Sequence, residues 1–81
     1  MKLPRDLSGA NLIGTLKRLG YKQTRQTGSH VRMTVSAPRA GHLTVPLTKA
    51  LPAGTLAALV KEAVFQLETT VEAVLNEIRQ R

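Results

Sequence analysis

The sequence predicts an α+β fold in which one helix, three antiparallel strands and two further helices follow in that order. Three observations carry this prediction. Apolar residues recur at helical spacing near the start and again over 56–78, while apolar and polar residues alternate in the middle. The breaks between these segments fall at Gly or Pro, at Gly20, Gly28, Pro38, Gly41 and Pro52. A single domain over 1–81 is expected, because so short a chain has room for one thin core and buries only about 60% of its unfolded surface.

Each element has its own local cause. Ser8 is a good N-cap, and Leu7 before it with Leu12 inside makes a hydrophobic staple. Leu12, Ile13, Leu16 and Leu19 then form one helical face, Lys17 and Arg18 suit the last turn, and Gly20 ends the helix, predicting it over 9–19. Tyr21 to Thr27 is polar and strand-tolerant, which predicts an edge strand ending at Gly28. Val31, Met33 and Val35 alternate with His30, Arg32 and Thr34, and beyond the turn at 37–41 Leu43 and Val45 alternate with His42 and Thr44. Pro46, which cannot donate to a ladder, closes the third strand. Pro52 suits the first turn of a second helix carrying Leu56, Leu59, Val60, Ala63, Val64 and Leu67. Thr69 with Glu72 reads as a capping box for a third helix over 70–79.

Composition narrows the class. The apolar fraction is 42%, normal for a folded domain, and the absence of cysteine excludes disulfides, Fe–S clusters and Cys-ligated zinc. Two separated histidines make a poor metal site, so no metal and no cofactor are expected. The opening Met-Lys-Leu-Pro-Arg-Asp has no apolar run behind its charges, and no segment approaches a membrane span. No signal peptide and no membrane contact are expected, and the cytoplasm is the expected compartment. The formal net charge is +7, unevenly placed: residues 1–61 hold ten Lys and Arg against Asp6 alone, while 62–81 hold two Arg against four Glu. Such a field favours a nucleic acid or an acidic protein, although general solubility accounts for it too. Tyr21 and Phe65 are the only aromatics, too few for a base-stacking reader of single-stranded RNA.

The tripeptide Gly28-Ser29-His30 puts a histidine, the side chain suited to moving protons near neutral pH, at the head of an alternating strand in the basic part of the chain. Setting Val35 against Leu43 places Thr34 opposite Thr44, Arg32 opposite Pro46 and His30 opposite Thr48. His30, Arg32, Thr34, His42 and Thr44 then share the sheet face away from the helices. RNA carries its own nucleophile in the 2′-hydroxyl, so cutting it takes a proton-transfer group and charge stabilisation without a metal. On this reading His30 is the candidate acid or base. Arg32, with Lys22 or Arg25 from the neighbouring strand, is the candidate for stabilising charge on the phosphate. Gly28 permits close backbone approach, and Ser29 can orient the histidine or contact phosphate. Which cations point into the site is not readable from alternation alone. His42, near the turn, reads as surface decoration, and Gly54-Thr55 as a helix start.

A helix, a three-stranded antiparallel sheet and a helix on the same face make the layout of a double-stranded-RNA-binding domain. Lys-Leu-Pro-Arg-Asp-Leu-Ser-Gly at 2–9, Leu19-Gly20-Tyr21, Arg25-Gln26-x-Gly28-Ser29-His30, Val45-Pro46 and Leu51-Pro52-x-Gly54-Thr55-Leu56 sharpen this. Together they resemble the HicA toxins of bacterial toxin–antitoxin systems, from residue 2 to about 67 with a looser match beyond. The resemblance implies an mRNA interferase on a double-stranded-RNA-binding-domain-like fold, silenced by a HicB antitoxin, touching DNA only indirectly through that antitoxin. It places the family's essential histidine at His30, preceded by Gly28 and Ser29. Relatives often carry a further histidine where this chain has Thr48. Two rival readings remain at this level, a non-catalytic binder of double-stranded RNA and a protein-interaction subunit, with the third helix covering the core or extending an interface.

Overall fold

The computed structural model describes residues 2–80. The elements are α1 (Gly9–Arg18), β1 (Lys22–Thr27), β2 (His30–Val35), β3 (Gly41–Pro46), α2 (Ala53–Leu67) and α3 (Val71–Arg79), the α+β order predicted. The strands form one antiparallel sheet in the order β1-β2-β3, with the helices behind one face.

Helix α1 starts as its sequence dictates. The Ser8 hydroxyl accepts the Asn11 N–H at 3.0 Å, and the Asn11 carboxamide oxygen accepts the Ser8 N–H at 3.3 Å. Leu7 and Leu12 are buried together beneath this cap. Gly20, at φ +110°, turns the chain, and the Tyr21 N–H bonds back to the Leu16 carbonyl at 2.9 Å. Tyr21 therefore closes the helix and lies buried, and β1 begins one residue later than its composition suggested.

The third helix also starts one residue later than expected. Glu68, in the left-handed region at φ 52°, ends α2, and the Thr69 N–H is taken by the Val64 carbonyl at 3.1 Å. Thr70 is the N-cap, accepting the Ala73 N–H at 3.1 Å, so the Thr69–Glu72 capping box does not form. Pro52 likewise precedes α2 as its cap residue rather than opening its first turn.

The hairpin register departs from the sequence expectation by two residues. Val35 pairs with Gly41, Thr34 with His42, Met33 with Leu43, Arg32 with Thr44 and His30 with Pro46. A shift of two keeps every side chain on its face, so the apolar pattern cannot tell the two registers apart. At the turn end of the observed pairing Gly41 packs closely on α2: a Cβ on residue 41 would meet the Gln66 side chain within 3 Å, so a larger residue there would displace it. Thr48 is consequently not opposite His30; its carbonyl accepts the Gly9 N–H at 3.0 Å.

Leu12, Leu16, Met33, Val45, Leu56, Val60, Val74 and Ile78 belong to one buried cluster between sheet and helices. α3 lies against α1 and α2 and supplies Val74, Leu75 and Ile78, so it covers the core. Arg18 ties it to α1, reaching the Glu77 carbonyl at 2.7 Å and its carboxylate at 3.2 Å. The buried polar side chains are held within the fold. Thr15 donates to the Asn11 carbonyl, and Gln66 accepts from the Tyr21 hydroxyl at 2.7 Å while donating to the His42 carbonyl at 3.1 Å. Among the described residues no helix is long and apolar enough to cross a membrane.

Two predictions follow from these contacts. A Cβ on Gly9 would overlap the Pro46 carbonyl and press on the Leu47 backbone. Alanine gains about 1 kcal/mol in helix propensity, but overpacking against backbone costs about 1–3 kcal/mol, so Gly9→Ala lowers stability in urea titrations. Burial, with the Glu62 carboxylate adding to it, pushes the Tyr21 phenol up to about 12. The folded state therefore favours the neutral phenol, and its contribution is complete below the ordinary value of about 10 and lost as pH rises through the folded value. Absorbance titration of this single tyrosine places its midpoint near 12, and stability falls over that same alkaline window.

Candidate active site

The two-residue turn Gly28-Ser29 joins β1 to β2, pairing Thr27 with His30. Gly28 sits at φ +58°, and the positive φ at the first central position is the pattern of a type II′ turn, which matches the strand twist. This turn fixes His30 as the first residue of β2. Burying Val31, Met33 and Val35 then turns His30 and Arg32 outward, away from the helices.

β1 needs a special device to face the same way. Its pairs are Lys22–Thr34 and Gln23–Met33, then Arg25–Arg32, Gln26–Val31 and Thr27–His30, with a bulge between Gln23 and Arg25. Without the bulge, Lys22 and Arg25 would lie on opposite faces. The extra residue, Thr24, keeps to the outer face, its hydroxyl 2.7 Å from that of Thr34, and the strand beyond it is rephased. Arg25 and Thr27 thereby join His30.

The result is a shallow depression of about 190 Å³ lined by Arg25, Thr27, His30, Arg32 and Thr44. Arg25 and Arg32 are direct cross-strand partners, with Thr44 beyond Arg32, and two pairs along, on the same face, stand Thr27, His30 and Pro46. The ion pairs of the described residues, Arg18–Glu77 and Arg39–Glu68, lie elsewhere, and no Asp or Glu occurs between residues 7 and 61. Two guanidiniums stand across a strand pair beside a histidine, with no ion pair to either among the described residues. Like charges in that position repel, so the arrangement suits a bound anion, to which the planar forks can donate together.

The other sequence-predicted residues fall outside this depression. Lys22 shares the face but pairs with Thr34, away from the His30 end. Gly28 and Ser29 form the turn, and the Ser29 carbonyl accepts the Leu47 N–H at 2.7 Å, tying the turn to the end of β3. His42 also shares the outer face, opposite Thr34. Thr27 was missed, and Thr44 was expected on this face but opposite Thr34. Thr27 was within reach of the sequence, since a Gly28-Ser29 turn pairs it with His30; Thr44 meets Arg32 only in the observed register. Among the described residues no three His, Cys, Asp or Glu side chains group as a metal site.

The family described as HicA toxin of bacterial toxin-antitoxin matches the chain over residues 9–64, from the start of α1 into the last part of α2. The chain belongs to the HicA toxin family. It is thus a toxin of a toxin–antitoxin system, and the family implies an antitoxin partner. Among curated proteins no match was found.

The matched span of this HicA toxin contains all three strands and every residue of the depression. Replacing one of the opposed arginines separates stability from anion binding. Arg25→Gln removes the cross-strand repulsion, so urea unfolding shows a gain of roughly 0.2–1 kcal/mol. The same variant binds polyphosphate more weakly in calorimetric titration; undiminished binding would place the anion site elsewhere.

Proposed function

We propose that this HicA toxin is an endoribonuclease that cuts mRNA without a metal, with His30 moving the proton, and that its antitoxin silences it. The observation that carries this reading is the confluence of one histidine and two opposed, acid-free arginines in a single depression on a solvent-facing sheet.

The chemistry follows from the substrate's own nucleophile. The 2′-oxygen attacks the adjacent phosphorus, and neutral His30 accepts the 2′-hydroxyl proton. The bond from phosphorus to the 5′-oxygen breaks, and the imidazolium so formed returns the proton to that leaving oxygen. The products are a 2′,3′-cyclic phosphate and a 5′-hydroxyl, with atoms and protons balanced. Negative charge grows on the non-bridging oxygens during attack. Arg25 and Arg32, brought to one depression by the β1–β2 pairing, donate to those oxygens as their charge grows, which favours the transition state over the ground state. Thr27 and Thr44 add hydroxyl donors at the rim of the same depression. The basic sheet draws the polyanion to this face and an acidic or polar antitoxin surface likewise.

Purified wild-type and His30→Ala proteins incubated with RNA in chelator test the reading. The wild type leaves 2′,3′-cyclic or derived 3′-phosphate ends. The variant, whose exposed position 30 carries no core packing, keeps its fold and antitoxin affinity while cleavage drops by roughly 10²–10⁴-fold. Cleavage persisting in His30→Ala, or appearing only when metal is added, would overturn the assignment.

A further inference from the structure

A second concavity, of about 550 Å³, runs along the free edge of β3 against α2, with His42, Thr44, Leu59, Glu62 and Gln66 in its walls. Thr44 also lines the His30 depression, so the two hollows meet over β3. The strand spacing of ~4.8 Å separates Arg32 from Thr44, a step that one nucleotide spans between its phosphate and its base.

The hydrogen-bonding parity of the hairpin determines what this groove offers. The Leu47 N–H bonds the Ser29 carbonyl, so the bonded pairs of the antiparallel ladder continue at 31–45, 33–43 and 35–41. The backbone groups of His42 and Thr44 therefore turn away from β2 into the groove. Gln66 takes the His42 carbonyl at 3.1 Å, and its own carboxamide oxygen is held by Tyr21 at 2.7 Å. Gln66 is thus engaged at both ends. The open polar groups are the Thr44 backbone and hydroxyl, the exposed His42 imidazole and the exposed Glu62 carboxylate, which has a single long contact of 3.4 Å from Gln66. Half-buried Leu59 supplies an apolar wall. A carboxylate repels phosphate, so this groove suits a neutral, flat group rich in donors.

We infer that the groove is the subsite for the base 5′ to the scissile bond, and that Glu62 makes guanine its preferred occupant. The inference rests on the RNA-cleaving reading above. A carboxylate only accepts hydrogen bonds, and its two oxygens match the adjacent N1–H and N2–H donors of guanine. Adenine and cytosine offer one exocyclic amino group. Uracil places two carbonyls beside its one N–H, and these repel Glu62.

The test titrates the four 3′-nucleoside monophosphates, whose phosphate occupies the scissile position, into the ¹⁵N-labelled full chain followed by NMR. Guanosine 3′-phosphate binds on the order of tenfold tighter than uridine 3′-phosphate, the effect of a charge-assisted hydrogen bond, and shifts the amides of Leu43, Thr44 and Glu62 as well as Arg32. Glu62→Gln lowers the guanosine affinity and, by removing the repulsion of the uracil carbonyls, raises that of uridine, so the preference is lost, whereas Arg32→Ala weakens all four alike. Equal binding of all four nucleotides at the arginine depression overturns the subsite alone, as does a guanosine preference that survives in Glu62→Gln. No shift at Arg25, His30 or Arg32 with any nucleotide overturns the subsite and the RNA reading together.

Discussion

The alternation of β2 is the constraint on which the rest of the structure depends. Val31, Met33 and Val35 are buried in a thin core that has few such residues to lose, each contributing roughly 1.5–3 kcal/mol. Slipping the central strand by one residue would expose all three and bury His30, Arg32 and Thr34. The core thus fixes the outer face: whatever makes β2 fold also makes it present a histidine and an arginine to solvent. β1 and β3 then have only to bring matching residues alongside. β1 does so through its bulge, β3 through a pairing end-stopped by Gly41 against Gln66 and by Pro46 against Gly9.

The site is expensive where the core is not. An opposed arginine pair costs about 0.2–1 kcal/mol, small beside the burial that holds β2 in place, so the sheet tolerates it. The chain keeps its acids away from this strain. Glu62, Glu68, Glu72 and Glu77 lie in or beside α2 and α3, and the described ion pairs join Glu77 to Arg18 and Glu68 to Arg39. The open sheet face is consequently cationic, while the helical layer behind it holds both signs, with Lys17, Arg18, Lys61 and Arg79 among those carboxylates. Such a molecule meets a polyanion sheet first.

How far the sequence could be read follows from which interactions are local. Caps, periodicities and the Gly28-Ser29 turn act within a few residues, and they made the element order and the outward placement of His30 and Arg32 legible. The two-residue register error has a different origin, because parity alone distinguishes faces and both registers satisfy it. Packing between distant segments, such as that of Gly41 on Gln66 twenty-five positions away in the chain, is not written in that parity. The bulge was equally hidden. Lys-Gln-Thr-Arg-Gln-Thr carries no apolar residue whose burial would betray a change of phase, so whether Lys22 or Arg25 joined His30 could not be decided. Thr69 and Thr70 are chemically near-equivalent caps, and the choice fell to the backbone of Glu68, which residue type does not announce.

The placement of the two aromatics bears on how RNA would be held. Tyr21 is buried with its hydroxyl on Gln66, and Phe65 lies on α2 with the Arg39 guanidinium 4.6 Å over its ring. Neither ring stands on the outer sheet face. A chain laid over His30 therefore finds no platform on which to stack successive bases, unlike the sheet-based readers of single strands. Phosphate contacts to Arg25 and Arg32 would hold it without regard to sequence, and such contacts alone make an indiscriminate nuclease. Any selectivity has to come from hydrogen bonds at the margin of the sheet. The margin of β3 is where Gln66 occupies the His42 carbonyl and leaves the Thr44 backbone open beside Glu62, so the same glutamine that packs on Gly41 also determines which edge groups remain for a base to read.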